Sequence, residues 1–198
     1  MADRDNRQMF DFGVSGYRPE WLTGLSMIMQ AQGRRLAALE GRRLTRVLVV
    51  WDLEDDTWFT DGPVLLDFDG EQVEIVHNKF DDLSITWNAV DPARPLDWAG
   101  TGIPLRWRQD AFPEATALLG QALRSVELLE YVDDDLARGM VALGFVFPHG
   151  RMTVYNAMDE NGIAFGDPGP SYARHVAGAA DGSRDRDRGP RRGPPPGG

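Results

Sequence analysis

The sequence predicts an α+β domain, an antiparallel β-rich sheet or partly closed roll with an N-terminal amphipathic helix packed on it. Three observations lead there. One stretch near the N-terminus has helical periodicity, about eight segments with strand character follow it, and short turn signals separate most of them.

The helical stretch starts at Pro19, a residue suited to a first turn, and runs through Trp21, Leu22, Leu25, Ile28, Met29, Leu36 and Leu39, with Gly41 as its cap. From Leu44 the period changes. Residues 44–52 are rich in β-branched side chains and apolar on both faces, as in a central strand. Val64, Leu66 and Phe68 alternate with Leu65, Asp67 and Asp69, and Asp69-Gly70 is a two-residue hairpin signal ahead of Val73, Ile75 and His77. Leu83, Ile85 and Trp87 point one way and Ser84, Thr86 and Asn88 the other, which predicts a strand with one wet face.

Between Asp91 and Gly102 the period is lost among prolines and glycines, an ordered loop held by Trp98. Leu105–Arg108 reads as an edge strand and 113–119 as a short helix. Residues 125–132 and 137–147 read as strands, and His149-Gly150 turns the second into 152–156. A turn at 159–162 precedes a last strand at 163–165. After Tyr172 apolar residues become scarce. The expected organisation is a flexible segment over 1–18, one domain over 19–172 and a disordered Arg/Gly/Pro-rich tail over 173–198.

With 198 residues, 42% of them hydrophobic, and six Trp and nine Phe, the chain can fill one core without disulfides, since it has no Cys. The polar N-terminus and the missing cysteines lead to an expected cytoplasmic location. No apolar run approaches the roughly 18 residues a membrane helix needs. The formal charge of −10 is unevenly placed. Residues 176–198 hold five Arg and three Asp, net +2, leaving 16 basic and 28 acidic residues and a net −12 for the rest. A field of that sign repels phosphate backbones, so nucleic acid is not the expected ligand of the folded part, and a basic protein suits it better.

Catalytic and cofactor motifs are missing. There is no G-x-G-x-x-G, no G-x4-G-K-[ST], and the three His are too separated for a local zinc pair. An EF-hand loop counted from Asp67 places Gln72 where glycine is required. No cofactor and no metal are expected. The densest polar group is His77, Asn78, Lys79, Asp81 and Asp82, of which 78–82 reads as a hairpin loop with Phe80 folded inward. As a site it would offer an imidazole beside carboxylates for proton transfer. Further carboxylates cluster at 52–56, 67–71, 133–135 and 159–160. Among the tryptophans, Trp51, Trp87 and Trp107 fall on apolar strand phases, leaving Trp58 and Trp98, both in loops, as the exposed anchors.

These features favour a non-enzymatic binding module whose acidic surface engages a protein partner. The binding residues expected are Asp55, Asp56, Trp58, Asp61, His77, Lys79, Asp81, Asp82 and Trp98. Being small, acidic and β-rich without a catalytic signature, the chain is similar in general character to the immunity proteins that neutralise bacterial toxins. That likeness rests on character and on no motif, and implies a basic toxin as partner. Two alternatives stand beside it: a small hydrolase or carbohydrate-acting enzyme using Asp/Glu with His77, and a structural or assembly subunit.

Overall fold

The computed structural model describes residues 14, 17–79 and 81–178. In chain order the elements are β1 (Trp21–Thr23), α1 (Leu25–Ala37), β2 (Leu44–Asp52), β3 (Thr57–Trp58), β4 (Val64–Phe68), β5 (Glu71–Asn78), β6 (Asp82–Trp87), β7 (Leu105–Arg108), α2 (Pro113–Leu118), β8 (Ser125–Tyr131), β9 (Val141–Phe147), β10 (Gly150–Asn156), β11 (Asn161–Phe165) and β12 (Tyr172–Val176). Among the described residues the strands form two antiparallel sheets. One has seven strands in the order β1-β6-β5-β4-β2-β3, with β7 also on β2, and the other five, in the order β11-β10-β9-β8-β12. Among the described residues the protein is thus β-rich, with antiparallel sheets and two α-helices, one of them N-terminal.

The main core lies between the sheets. Val47, Val49, Val64, Leu66, Phe68, Val73, Ile75, Leu83 and Ile85 of the first sheet meet Val126, Leu128, Leu143, Phe145, Met152 and Val154 of the second, joined by Ile28 and Leu36 of α1. Phe68 stacks on Phe145 at 5.7 Å, a pair whose truncation at either ring costs roughly 3–5 kcal/mol. A second core covers the opposite face of the first sheet. Leu48, Val50, Leu65 and Val76 are capped there by Val14, Tyr17, Val90, Trp98 and Leu105. The both-faced apolar pattern of 44–52 is thereby explained: odd positions Val47 and Val49 enter one core, even positions Leu48 and Val50 the other.

The Asp69-Gly70 hairpin forms as the sequence predicts, with φ of 51° and 86°, the twisted two-residue turn that favours these residues. Elsewhere the elements shift. The helix begins at Leu25 and not at Pro19, because Trp21–Thr23 pair with Ser84–Asp82 as β1 and Gly24, at φ 72°, breaks the chain between strand and helix. It ends at Ala37, and Gly41 serves the next turn, donating its N–H to Leu123 O. The strand expected from 137 starts at Val141. Ser84 and Thr86 do not face water: Ser84 is fully buried and Thr86 half-buried under the second core's cover. Both ends of the folded region reach further than composition indicated. Val14 and Tyr17, inside the segment expected to be flexible, are buried, and β12 carries the paired region past Tyr172 into the expected tail, with 173–176 paired to β8. Residues 179–198 of the tail lie outside the described residues.

No helix among the described residues is long and apolar enough to cross a membrane.

Candidate functional site

Strand registers decide where the polar loops go. In the first sheet Leu48 pairs with Leu65, Val64 with Ile75 and His77 with Leu83, so the end of β2, the start of β4, the end of β5 and the start of β6 share one end of the sheet. In the second, Glu130 pairs with Val141 and Asn156 with Asn161, so the β8–β9 and β10–β11 connections share one end too.

Asn161 ties those two ends together. Its Nδ2 donates to Gly62 O at 2.8 Å, its Oδ1 accepts the His77 backbone N–H at 2.9 Å, and its own N–H donates to Thr60 O at 3.0 Å. Gly62 itself packs closely on β2, since a Cβ there would lie 2.5 Å from Val50 Cγ2. Thr60 Oγ1 adds a short hydrogen bond to Glu160 at 2.5 Å.

The connections at this end are strongly acidic. Residues 52–56, 61, 78–82, 132–140 and 156–160 hold twelve carboxylates against two cations, Lys79 and Arg138. Each cluster is built by local turn chemistry. Asp52 Oδ1 accepts the N–H groups of Glu54 and Asp55, Asp135 Oδ1 that of Ala137, and Asn156 Oδ1 that of Asp159. Asp56 adopts φ 48°, accepts the Trp51 indole N–H at 2.9 Å, and lies 3.5 Å from Arg108, whose guanidinium covers the Trp51 ring. Asp61 is held above the usual carboxylate range by partial burial and by the nearby Glu160 charge.

Of the expected binding residues, Asp55, Asp56, Asp61, Lys79, Asp81 and Asp82 fall in these connections or at strand ends bordering them. The other three are wholly or partly buried. Trp98 is buried, edge-on to Phe59 at 4.8 Å in the second core, and is no surface anchor. Trp58 is half-buried against Phe112 at 5.3 Å. Phe80 lies outside the described residues. His77 lies on β5, in line with Val73 and Ile75 as the alternation predicts, and is buried at the end of the main core. Its ring nitrogens face Asn161 Oδ1 and Val141 O at 3.2 and 3.3 Å. A proton-transfer pair needs a carboxylate there, and the partners found are an amide and a backbone carbonyl, so the hydrolase reading loses its base.

Both partners of the His77 ring are acceptors, and a neutral imidazole donates to one of them at a time. Burial nonetheless dominates and lowers its pKa from 6.5 to about 4. The unfolded chain therefore takes up this proton more readily than the folded one. Stability from this residue is complete above pH 6.5 and is lost as the pH falls toward 4, by about 3 kcal/mol. Urea midpoints across that interval should show the loss, and His77→Gln should flatten it; parallel slopes would refute the assignment.

Two groups escaped sequence reasoning. Glu74, fully buried behind the first sheet, accepts from Gln72 Nε2, Thr86 Oγ1 and the N–H groups of Ala89 and Val90. It sits in an alternating strand with nothing local to mark it. The second group is apolar. Among the described residues six large apolar side chains are exposed, and five of them, Met27, Leu53, Val132, Leu136 and Met158, stand at the acidic end. Met27 belongs there because α1 starts directly after Thr23, which pairs with Asp82. The signal in the sequence was an apolar residue inside an acidic turn, as in Leu53, Leu136 and Met158.

No family model matches the chain, and neither a curated protein nor a solved structure matches it.

Proposed function

We propose that the protein is a non-enzymatic binding module that engages a basic protein partner through its acidic end, in the manner of an immunity protein neutralising a cationic toxin. The observation that carries this reading is the convergence of separate carboxylate clusters, from connections of both sheets, on one end linked by the hydrogen bonds of Asn161. Spread over several turns, the charges repel one another, and a cationic partner relieves that repulsion on contact. The field also concentrates and orients such a partner before it docks.

The test separates position from total charge. Asp55, Asp56, Asp81 and Asp82 reversed to lysine should weaken binding of lysozyme, used as a cationic probe protein, at least tenfold at low salt. Reversing Glu40, Asp91, Asp97 and Glu114, which are exposed but lie elsewhere, changes the net charge equally. It should weaken binding by no more than about twofold. Equal losses from both sets would show that only total charge matters and remove the reading.

A further inference from the structure

The five exposed apolar side chains narrow the partner's chemistry. Large apolar groups left in water at one end of a molecule mark an interaction surface, and two of the five are methionines, whose unbranched, polarizable chains adapt to varied partners. They alternate along the chain with carboxylates: Leu53 lies between Asp52 and Glu54, Leu136 follows Asp133–Asp135, and Met158 precedes Asp159. Beside Met27 a groove of about 640 Å³ opens between the first turn of α1 and Glu130 at the end of β8. An occupant must therefore be apolar and cationic together.

Its backbone form follows from what this end presents. Strands meet it with their turns, and their pairing edges run along the sides of the sheets, so among the described residues an extended peptide finds no row of N–H and C=O groups to join at this end. A helix satisfies its backbone internally and needs side-chain contacts alone. We infer that the acidic end docks a cationic amphipathic helix, its apolar stripe on Met27, Leu53, Val132, Leu136 and Met158 and its lysines or arginines among the surrounding carboxylates. A helix of about 18 residues spans roughly 27 Å, enough to cross two stacked sheets about 10 Å apart. The inference rests on the acidic-end reading above and specifies its partner.

The experiment uses three fluorescent peptides of one Lys/Leu composition and about 18 residues. One has leucines at i, i+3, i+4 spacing, one alternates lysine and leucine, and one is scrambled. With the full chain at about 0.15 M salt, the helical pattern should bind at least tenfold more tightly than the others and gain helical circular dichroism. The double substitution Leu136→Asp with Met158→Asp should lower its affinity at least tenfold, although attraction by charge alone predicts an increase. Both positions are highly exposed, at 87% and 92%, so folding is unaffected and the far-ultraviolet spectrum checks it.

Equal binding of the three peptides, or affinity unmoved by the double substitution, overturns the helix. If the four lysine reversals at Asp55, Asp56, Asp81 and Asp82 still weaken all three peptides, the acidic-end reading survives that failure. If they change nothing, both fall. A dimer seen by light scattering and dispersed by the double substitution would place a second copy on this face and likewise overturn the helix.

Discussion

Glu74→Ala should cost about 3–5 kcal/mol, the sum over several buried donors left without an acceptor, and release the cover of the second core. The Glu74 carboxyl group is the shared acceptor of four donors, from Gln72, Thr86, Ala89 and Val90, in a fully buried position. Alanine leaves those donors facing a void, and each buried donor without an acceptor costs about 1–3 kcal/mol, less where the site relaxes or admits water. The loss is directional. Ala89 and Val90 begin the stretch that carries Trp98 over Leu48, Val50 and Val76, so that stretch should become the first target of limited proteolysis. Glu74→Gln separates hydrogen bonding from volume. Its carbonyl can occupy the Oε1 position and keep three of the donors while its amide donates to the Thr86 hydroxyl, so it should cost no more than about 1–2 kcal/mol. Denaturant unfolding of the two variants checks the difference, and equal losses would contradict this account.

Asn161→Ala should be the next most damaging, at about 2–4 kcal/mol. It strips the acceptor from the His77 backbone N–H and the donor from Gly62 O, both inside the junction between the sheets. The backbone link from Asn161 to Thr60 O remains, so the two sheets stay adjacent but lose their fixed spacing at this end. Two readouts distinguish this from ordinary core damage. Amide exchange should quicken at His77 ahead of the Phe68–Phe145 region, and affinity for a cationic probe should fall at temperatures where the variant remains folded. Exchange that quickens uniformly would mean that Asn161 acts on global stability alone.

The sequence made visible those parts of the fold whose causes are local. Asp69-Gly70 dictates its turn through φ, and the both-faced apolar run of β2 announces a strand buried on two sides. What depends on distant partners stayed hidden. Trp21–Thr23 continue a helical apolar pattern, and only their pairing with β6 makes them a strand. Ser84 and Thr86 look wet because they are polar, yet Ser84 accepts the Glu20 N–H and Thr86 donates to Glu74. Tyr-Ala-Arg-His-Val at 172–176 is too polar to advertise itself, but as an edge strand it needs only one neighbour, β8.

The candidate site divides in the same way. Each carboxylate cluster was evident in the sequence as a turn, whereas their meeting at one end requires the strand order and the Asn161 link, which no local pattern encodes. His77 drew attention as a lone imidazole among acids, and the pleat then turned its ring into the core, away from the carboxylates that follow it in sequence.

Concentrating twelve carboxylates in the connections at one end also makes the molecule an electric dipole. Arg34, Arg35, Arg42 and Arg43 lie beyond the last turn of α1 or within it, at the far end from where that helix begins. In the field of a charged body such a molecule rotates before it touches, so a larger share of diffusive collisions arrive with the productive end forward. The association rate should therefore fall steeply as salt shortens the reach of the field, while the dissociation rate, set by contacts already formed, changes little.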